Sequence, residues 1–324
     1  MSNWRYIQKK NFTKISNLGL YLGLNLSYRS KFPLNLPLRL AQKIEKKNIN
    51  DPILKQFLPS HNEDIPSDIF HKDPVKDNLF QITPQMLQKY HGRVLLLPTS
   101  ACAMHCRYCF RQNYPYHSEG DFQKELDTIK NDLTIHEVIL SGGDPLSLSD
   151  TRLENLVKDL EKIPHIKIIR FHTRFPIGIP ERICESFTKI LEQSRFQFIF
   201  IIHVNHAKEL DNVVFNSLKK LQTLGIPILS QTVLLAGVND NKQTLKNLFL
   251  TLIHNGIIPY YLHQLDPIMQ GQHFDVPIEK GLTIIKELEK DLPGYAVPKY
   301  VREIPFEKSK QTVKAPKSTS YPSF

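Results

Sequence analysis

The sequence predicts an α/β protein: a partial six-stranded (β/α)6 barrel with a helical N-terminal extension and a short C-terminal extension. Three observations carry that expectation. From about Arg93 onward, short β-branched runs alternate with longer amphipathic ones, the pattern of repeated βα units on a parallel sheet. Six such units, joined by right-handed crossovers, curl toward a barrel, and an incomplete barrel keeps a lateral opening. The residues with the most chemistry follow the strand runs, at the end where such barrels build their sites. A 324-residue chain has room for one such barrel with extensions, since about 250 residues is typical of the complete fold.

Residues 1–90 read as a helical, loop-rich leader, broken at Phe32-Pro33 and Leu36-Pro37, with an acidic stretch at Glu63-Asp64 and no chemistry of its own. The strand runs are 94–98, 137–140, 167–172, 197–203, 227–233 and 257–263. Between them, residues near 122–132, 150–162, 180–193, 209–224 and 242–255 show apolar positions recurring at three and four, as helices do. Leu153, Leu156, Val157 and Leu160 show this spacing clearly. From Lys299 the composition shifts to Lys, Ser, Thr and Pro, the mark of an extended or weakly ordered tail. These shifts divide the chain into an extension at 1–90, a barrel at 91–265 and a C-terminal extension at 266–324.

Composition bounds the class. At 41% hydrophobic and 23% charged, the chain is globular in character. No run of about 20 apolar residues exists to span a bilayer, the longest being 196–204. Arg5, Lys9 and Lys10 are followed by no apolar region, so the N-terminus does not read as a secretory signal and the cytoplasm is the expected location. The net charge of +10 would attract phosphate, but the basic residues are dispersed and no zinc finger, helix-turn-helix or RNP-like run accompanies them, so no nucleic acid partner is expected.

Three of the four cysteines, Cys102, Cys106 and Cys109, form a C-x3-C-x2-C loop after the first strand. That crowding is wrong for a disulfide framework and suits metal binding in a reducing compartment. Three thiolates can hold three irons of a 4Fe-4S cluster and leave the fourth iron open to a ligand. Zinc, with His105 as fourth ligand, is the alternative. Cys184 reads as a small buried residue on a helix. After the second strand, Ser141, Gly142, Gly143 and Asp144 offer close backbone approach and a carboxylate, suited to a ligand's ammonium group; a plain turn is the other reading. His203 and His206 follow the fourth strand, and either could be only a satisfied core residue.

The cysteine loop, with Tyr108 beside its last cysteine, resembles the radical S-adenosylmethionine (SAM) superfamily. Further motifs, spread over about residues 70–310, resemble the lysine 2,3-aminomutases. They are Cys-Arg-Tyr-Cys-Phe-Arg at 106–111, Ser-Gly-Gly-Asp-Pro-Leu at 141–146, Ile-Arg-Phe-His-Thr-Arg-Phe-Pro at 169–176, His203 to His206, QTVLLAGVND at 231–240, Tyr260 to Asp266, and GYAVP at 294–298. The resemblance implies an isomerase that moves an amino group of L-lysine from the α to the β carbon, with a 4Fe-4S cluster, SAM and pyridoxal phosphate as cofactors.

It also implies residue roles. Lys310 would hold pyridoxal phosphate, with Lys308 as competitor, because Pro305, Phe306, Glu307 and Lys308 stand where the family has glycines. Arg111 would pair with the substrate carboxylate, for which a planar guanidinium is suited. Asp266 and Glu303 would receive the ε-ammonium, and Arg93, Arg174, His203 and Gln231 would lie near pyridoxal phosphate or SAM. Glu303 paired with Arg302 or a tail lysine on the surface is the plainer alternative.

No cysteine follows Cys184, and the 106–111 run looks like the branch that supplies (R)-β-lysine for modifying bacterial elongation factor P. That factor and its β-lysine ligase are then the expected functional partners, with flavodoxin or ferredoxin as electron donor. A catabolic aminomutase, a radical SAM enzyme modifying RNA, and a non-enzymatic metal-binding module are the rival expectations.

Overall fold

A computed structural model describes residues 3–28, 30–117 and 120–314. One sheet of ten strands follows chain order: β1 (Gln81–Thr83), β2 (Met86–Leu87), β3 (Arg93–Leu96), β4 (Glu137–Leu140), β5 (Ile168–Thr173), β6 (Gln197–His203), β7 (Ile228–Val233), β8 (Ile258–His263), β9 (Lys299–Arg302) and β10 (Gln311–Thr312). Strands β3 to β9 are parallel, and antiparallel pairs flank them at β1–β2–β3 and β9–β10. The six expected strands are β3 to β8, each end within two residues of its expected place.

The helices between them, Gln123–Asn131, Asp150–Glu161, Glu185–Glu192, Asn212–Gln222 and Lys242–Ile253, also lie where the periodicity puts them. Several start on side-chain caps: Ser149 accepts from Arg152 N–H, Asp211 from Val213 and Val214 N–H, and Asn241 from Thr244 N–H.

Period two divides the sheet into two unlike faces. Val94, Leu96, Val138, Leu140, Ile169, Phe171, Phe198, Phe200 and Ile202 are buried under the helices. Phe171 stacks on Phe200 with ring centroids 4.7 Å apart. The register sets Arg93 beside Glu137, Ile139 beside Arg170, His172 beside Ile201, and His203 beside Gln231 and then Tyr261. These residues therefore share the opposite face, the lumen, which is rich in polar groups.

Three expectations need correction. The segment from Lys299 is not a loose tail: β9 joins the parallel sheet and β10 pairs with it, with Tyr300 and Val301 buried. Flanking basic residues hid that four-residue strand. Its outer cover, the helix Ile278–Asp291, was not anticipated, and it packs so closely that a Cβ on Gly281 would sit 2.2 Å from the Tyr300 hydroxyl. Cys184 lies not within a helix but at the N-cap position of Glu185–Glu192, half-buried, 3.1 Å from Ser186 Oγ. The sheet also crosses both expected boundaries, with β1 and β2 before residue 91 and β9 and β10 after 265. Residues 315–324 of the expected tail lie outside the described residues.

Candidate active site

The loop after β3 carries Cys102, Cys106 and Cys109, and the N-terminal extension grips it. Gln8 Nε2 and Asn35 Nδ2 donate to Cys102 O at 3.2 and 3.4 Å, Asn11 Nδ2 to Ala103 O at 2.8 Å, and Arg107 N–H to Gln56 O at 2.9 Å. The Arg107 side chain, buried between two cysteines, donates to both oxygens of buried Glu63, to Phe32 O at 2.8 Å and to Ser30 Oγ at 2.7 Å. A leader expected to have no chemistry of its own thus shapes the loop that has the most.

Gly142 and Gly143 approach this loop rather than open space. Gly142 takes φ +105°, and a Cβ on it would sit 2.7 Å from Thr99 O. On Gly143 it would meet Ala101 O at 2.4 Å. Asp144 is likewise enclosed. Its carboxylate accepts from Thr173 Oγ1, and from the N–H groups of Leu146, Arg174 and Phe175, at 2.8–3.0 Å. Burial pushes its carboxyl up to about 6 against those donors. The Ser141–Asp144 turn therefore ties β4 to the cysteine loop and β5, where an open ammonium-binding carboxylate was expected.

Arg174 follows β5 and points at the cysteines. Nη1 donates to Cys106 Sγ at 2.8 Å and to Tyr108 Oη; Nη2 donates to Gln56 Oε1 at 2.6 Å and Glu209 Oε2 at 2.7 Å. Asn205, just past β6, donates from Nδ2 to Tyr108 Oη at 2.6 Å and to Gln56 Oε1 at 3.0 Å. His206 caps the short turn Ala207–Glu209, its Nδ1 accepting from Lys208 N–H at 3.0 Å. His105 faces away from the cysteines: Nδ1 lies 2.9 Å from Pro33 O and the ring stacks on Phe32 at 5.0 Å. Among the described residues His105 does not join the cysteines in a Cys3His group.

Across the lumen, a second group gathers around Lys310. Its Nζ lies 2.5 Å from Glu303 Oε2, while Tyr90 Oη donates to Glu303 Oε1 at 2.6 Å and Lys89 Nζ lies 3.8 Å away. Glu303 therefore pairs with a lysine of the C-terminal segment, as the plainer alternative had it, but the contact is part-buried and not on the surface. Lys89 also holds Asp77 at 2.7 Å, and Asp77 in turn accepts from Arg111 Nε at 2.6 Å. Arg111 Nη1 reaches Ser141 Oγ at 3.3 Å, linking the two groups.

A cavity of about 240 Å³, lined in part by Asp77, Phe110, Arg111 and Tyr114, opens beside that pair. Asp266 sits in the field of Lys310, Glu303, Lys89 and Asp77, and burial pushes its carboxyl up to about 7. Burial, aided by Arg174, Lys310 and Arg111, pushes His203 down to about 4. His172 and His263 lie well below the ordinary imidazole value, again through burial first. All three are neutral at pH 7.

The chain matches the radical SAM superfamily over residues 96–248. It is 39% identical to L-lysine 2,3-aminomutase of Haemophilus influenzae over 290 residues, which is 88% of this chain and 86% of that one. Identity to the Escherichia coli K12 protein of the same name is 41% over 288 residues, 88% of this chain and 84% of the relative. The Clostridium subterminale relative is 33% identical over 81% of this chain and 64% of its own length.

The chain belongs to the lysine 2,3-aminomutase family.

As such it is a radical SAM isomerase whose cofactors are a 4Fe-4S cluster, SAM and pyridoxal phosphate. The site's chemistry fits each in turn. Among the described residues no three His, Cys, Asp or Glu side chains converge on a single metal position. A cluster asks for no such convergence, since each of its cysteines binds a different iron. Burial raises the Cys102 and Cys109 thiols above the ordinary value, Cys109 to about 11, and bound iron is the charge that reverses this. For an anionic cofactor the lumen has donors to spare: Arg93 Nε, Arg170 Nε, His172 Nε2 and His263 Nε2 are buried with no partner in the protein. Phe306, in the segment where an aminomutase of this family has glycines, adopts φ +72°, a left-handed conformation that glycine favours. The backbone turns there without a glycine, with the Phe306 ring 5.5 Å from that of Phe80.

Asp77, Lys89, Tyr90, Glu63 and Gln56 went unrecognised because all belong to the N-terminal extension, where no periodicity or cluster marks them. His172, His263 and Tyr261 carried a signal that could have been used. Each has the same strand parity as His203 or Gln231.

Proposed function

We propose that this chain converts L-lysine to β-lysine by migration of nitrogen from the α to the β carbon. When bound, the cluster and SAM supply a carbon-centred radical, and pyridoxal phosphate carries the migrating nitrogen. The observation that supports the choice of substrate is a network that holds both signs of charge: Asp266 lies in the field of Glu303 and Lys310, and Arg111 is joined to Glu303 through Asp77 and Lys89. A diamino acid bound through its α-nitrogen still presents one carboxylate and one distant ammonium. Arg111 serves the first, and a buried ammonium needs an acid for the second.

Lys310 now neutralises Glu303. Lys310 would hold pyridoxal phosphate, with Glu303 beside it to accept from an ammonium group. Neutral His203, beside Gln231, adds hydrogen-bonding capacity without a competing positive charge.

The test is turnover of anaerobically reconstituted protein with L-lysine, SAM and a reductant, followed by chiral analysis of the product. β-Lysine is the expected outcome; SAM cleavage with unchanged lysine would overturn the reading. Pyridoxal absorbance after purification separates an aminomutase from a radical SAM enzyme acting on RNA.

The narrower part of the proposal is that the product is (R)-β-lysine for elongation factor P, with flavodoxin or ferredoxin as electron donor. The Cys-Arg-Tyr-Cys-Phe-Arg run and the lack of cysteine in residues 185–324 support this branch over the catabolic one. Deleting the gene should leave elongation factor P without its β-lysyl mass; an unchanged modified mass would refute the role.

A further inference from the structure

The bonds that hold the cysteine loop include one at a cysteine sulfur atom. Arg174 Nη1 lies 2.8 Å from Cys106 Sγ, and the other guanidinium nitrogen, Nη2, is held at 2.7 Å by Glu209 Oε2. Neither charge is shared with solvent: Arg174 is 7% exposed and Glu209 0%.

The pair is over-determined. Gln56 Oε1 accepts from Arg174 at 2.6 Å, the phenol of Tyr108 bonds both Arg174 and Asn205, and Glu209 Oε1 accepts from the N–H groups of Asn205 and His206 at 3.0 Å. Phe57 closes the guanidinium face, 4.9 Å from the ring centroid. Elements from four parts of the chain therefore fix one positive charge beside a cysteine sulfur and one negative charge beside that. A role in packing alone would not call for this; apolar residues of similar volume serve packing as well or better than a buried ion pair.

Hydrogen bonds to cluster sulfurs and nearby charge are what set a cluster's reduction potential. Resting on the assignment of Cys102, Cys106 and Cys109 as cluster ligands, we propose that Arg174 and Glu209 form an opposed pair that tunes the reduction potential of the cluster, Arg174 raising it through Cys106 and Glu209 limiting that rise. The guanidinium stabilises the extra electron on the reduced cluster. The carboxylate beyond it cancels part of that field, and its own charge acts from farther away.

The pair predicts shifts of opposite sign. In the reconstituted full-length protein, an anaerobic redox titration followed by electron paramagnetic resonance reads the potential directly, without turnover. Glu209→Gln, which keeps the shape and removes the charge, should move the midpoint to a more positive value. Arg174→Gln should move it to a more negative value, and Arg174→Lys should recover part of that loss. A shift in which the reduced-to-oxidised ratio changes about tenfold at fixed potential, equivalent to about 59 mV for one electron, is the expected scale.

Shifts of the same sign in Glu209→Gln and Arg174→Gln would overturn the proposal, as would unchanged potentials with full iron content. Loss of iron from both variants, with circular dichroism unchanged, would also overturn it, since the network would then act in holding the cluster and not in tuning it. Wild-type protein that binds no iron after reconstitution would instead sink the cluster assignment itself, so the two failures are distinguishable.

Discussion

The two halves of the lumen mouth are built on different terms. Around the cysteine loop, Asp144, Arg107, Asn205 and Glu209 each spend their side chains on several protein partners. Around Lys310 the reverse holds: His172, His263, Arg93 and Arg170 keep buried donors or acceptors unused, and Asp266 carries a carboxyl pushed up to about 7. The first half is largely completed by protein, Arg174 Nε excepted, and should be stiff. The second is left incomplete by protein, which is what a surface awaiting a polar cofactor and substrate requires. Mutations in the first half should therefore cost stability, and those in the second should cost activity.

Arg107→Met is the strongest way to break this contrast. It strands buried Glu63, so the unfolding free energy should fall by about 3–5 kcal/mol in urea titrations; a change under about 1 kcal/mol would show that the leader does not brace the loop.

Asp266→Asn tests the other half. Loss of one charge-assisted contact should lower kcat/KM for lysine by about 1.5–3 kcal/mol, roughly tenfold or more. Because the folded carboxyl titrates near 7 against an ordinary value of 3.8, ionisation is disfavoured by folding, and stability drains away as pH rises between those values. The Asn variant escapes that loss, so at pH 8 it should melt higher than wild type while working worse. In wild type, kcat/KM should climb as pH passes through about 7; a similar climb in the variant would assign the limb to another group.

Gly143→Ala should cost about 1–3 kcal/mol and displace the cysteine loop, which iron and sulfide analysis after reconstitution would read as a reduced cluster yield. Asp211→Ala is the smallest and a control outside both halves. Asp211 caps the helix Asn212–Gln222 and pairs with Arg39 and with Lys43 at 2.7 Å, which helps pull its carboxyl down to about 2 against the opposing effect of burial. About 1 kcal/mol should be lost above pH 4, fading as wild-type Asp211 protonates below it.

What was legible in the sequence follows the same division. The six central strands and their helices announce themselves through period, because apolar faces packed on a common core must recur at two or at three and four. The cysteines stood out by their spacing after the first strand run, whereas Arg111, Lys310 and Asp266 were named through resemblance to a family. Residues that act through long-range contact were not readable. Glu63 meets Arg107 across 44 positions and Tyr90 meets Glu303 across 213, and nothing local to either sequence encodes the partner. Gly142, Gly143 and Asp144 kept two readings, a ligand cradle and a turn, since a glycine that admits a ligand and one that admits another backbone leave the same mark on a sequence.

Because the sheet is open, its two margins are β1 and β10, neither paired with a further strand among the described residues. An exposed strand is a template for another chain, and long flat ones invite association into fibres. Here one margin is three residues long with a register irregularity and the other only two. Neither offers enough consecutive free amide groups to recruit a foreign strand. The barrel can therefore stay laterally open, as passage of a bulky nucleoside cofactor demands, without the polymerisation hazard that an unclosed sheet of this size would otherwise bring.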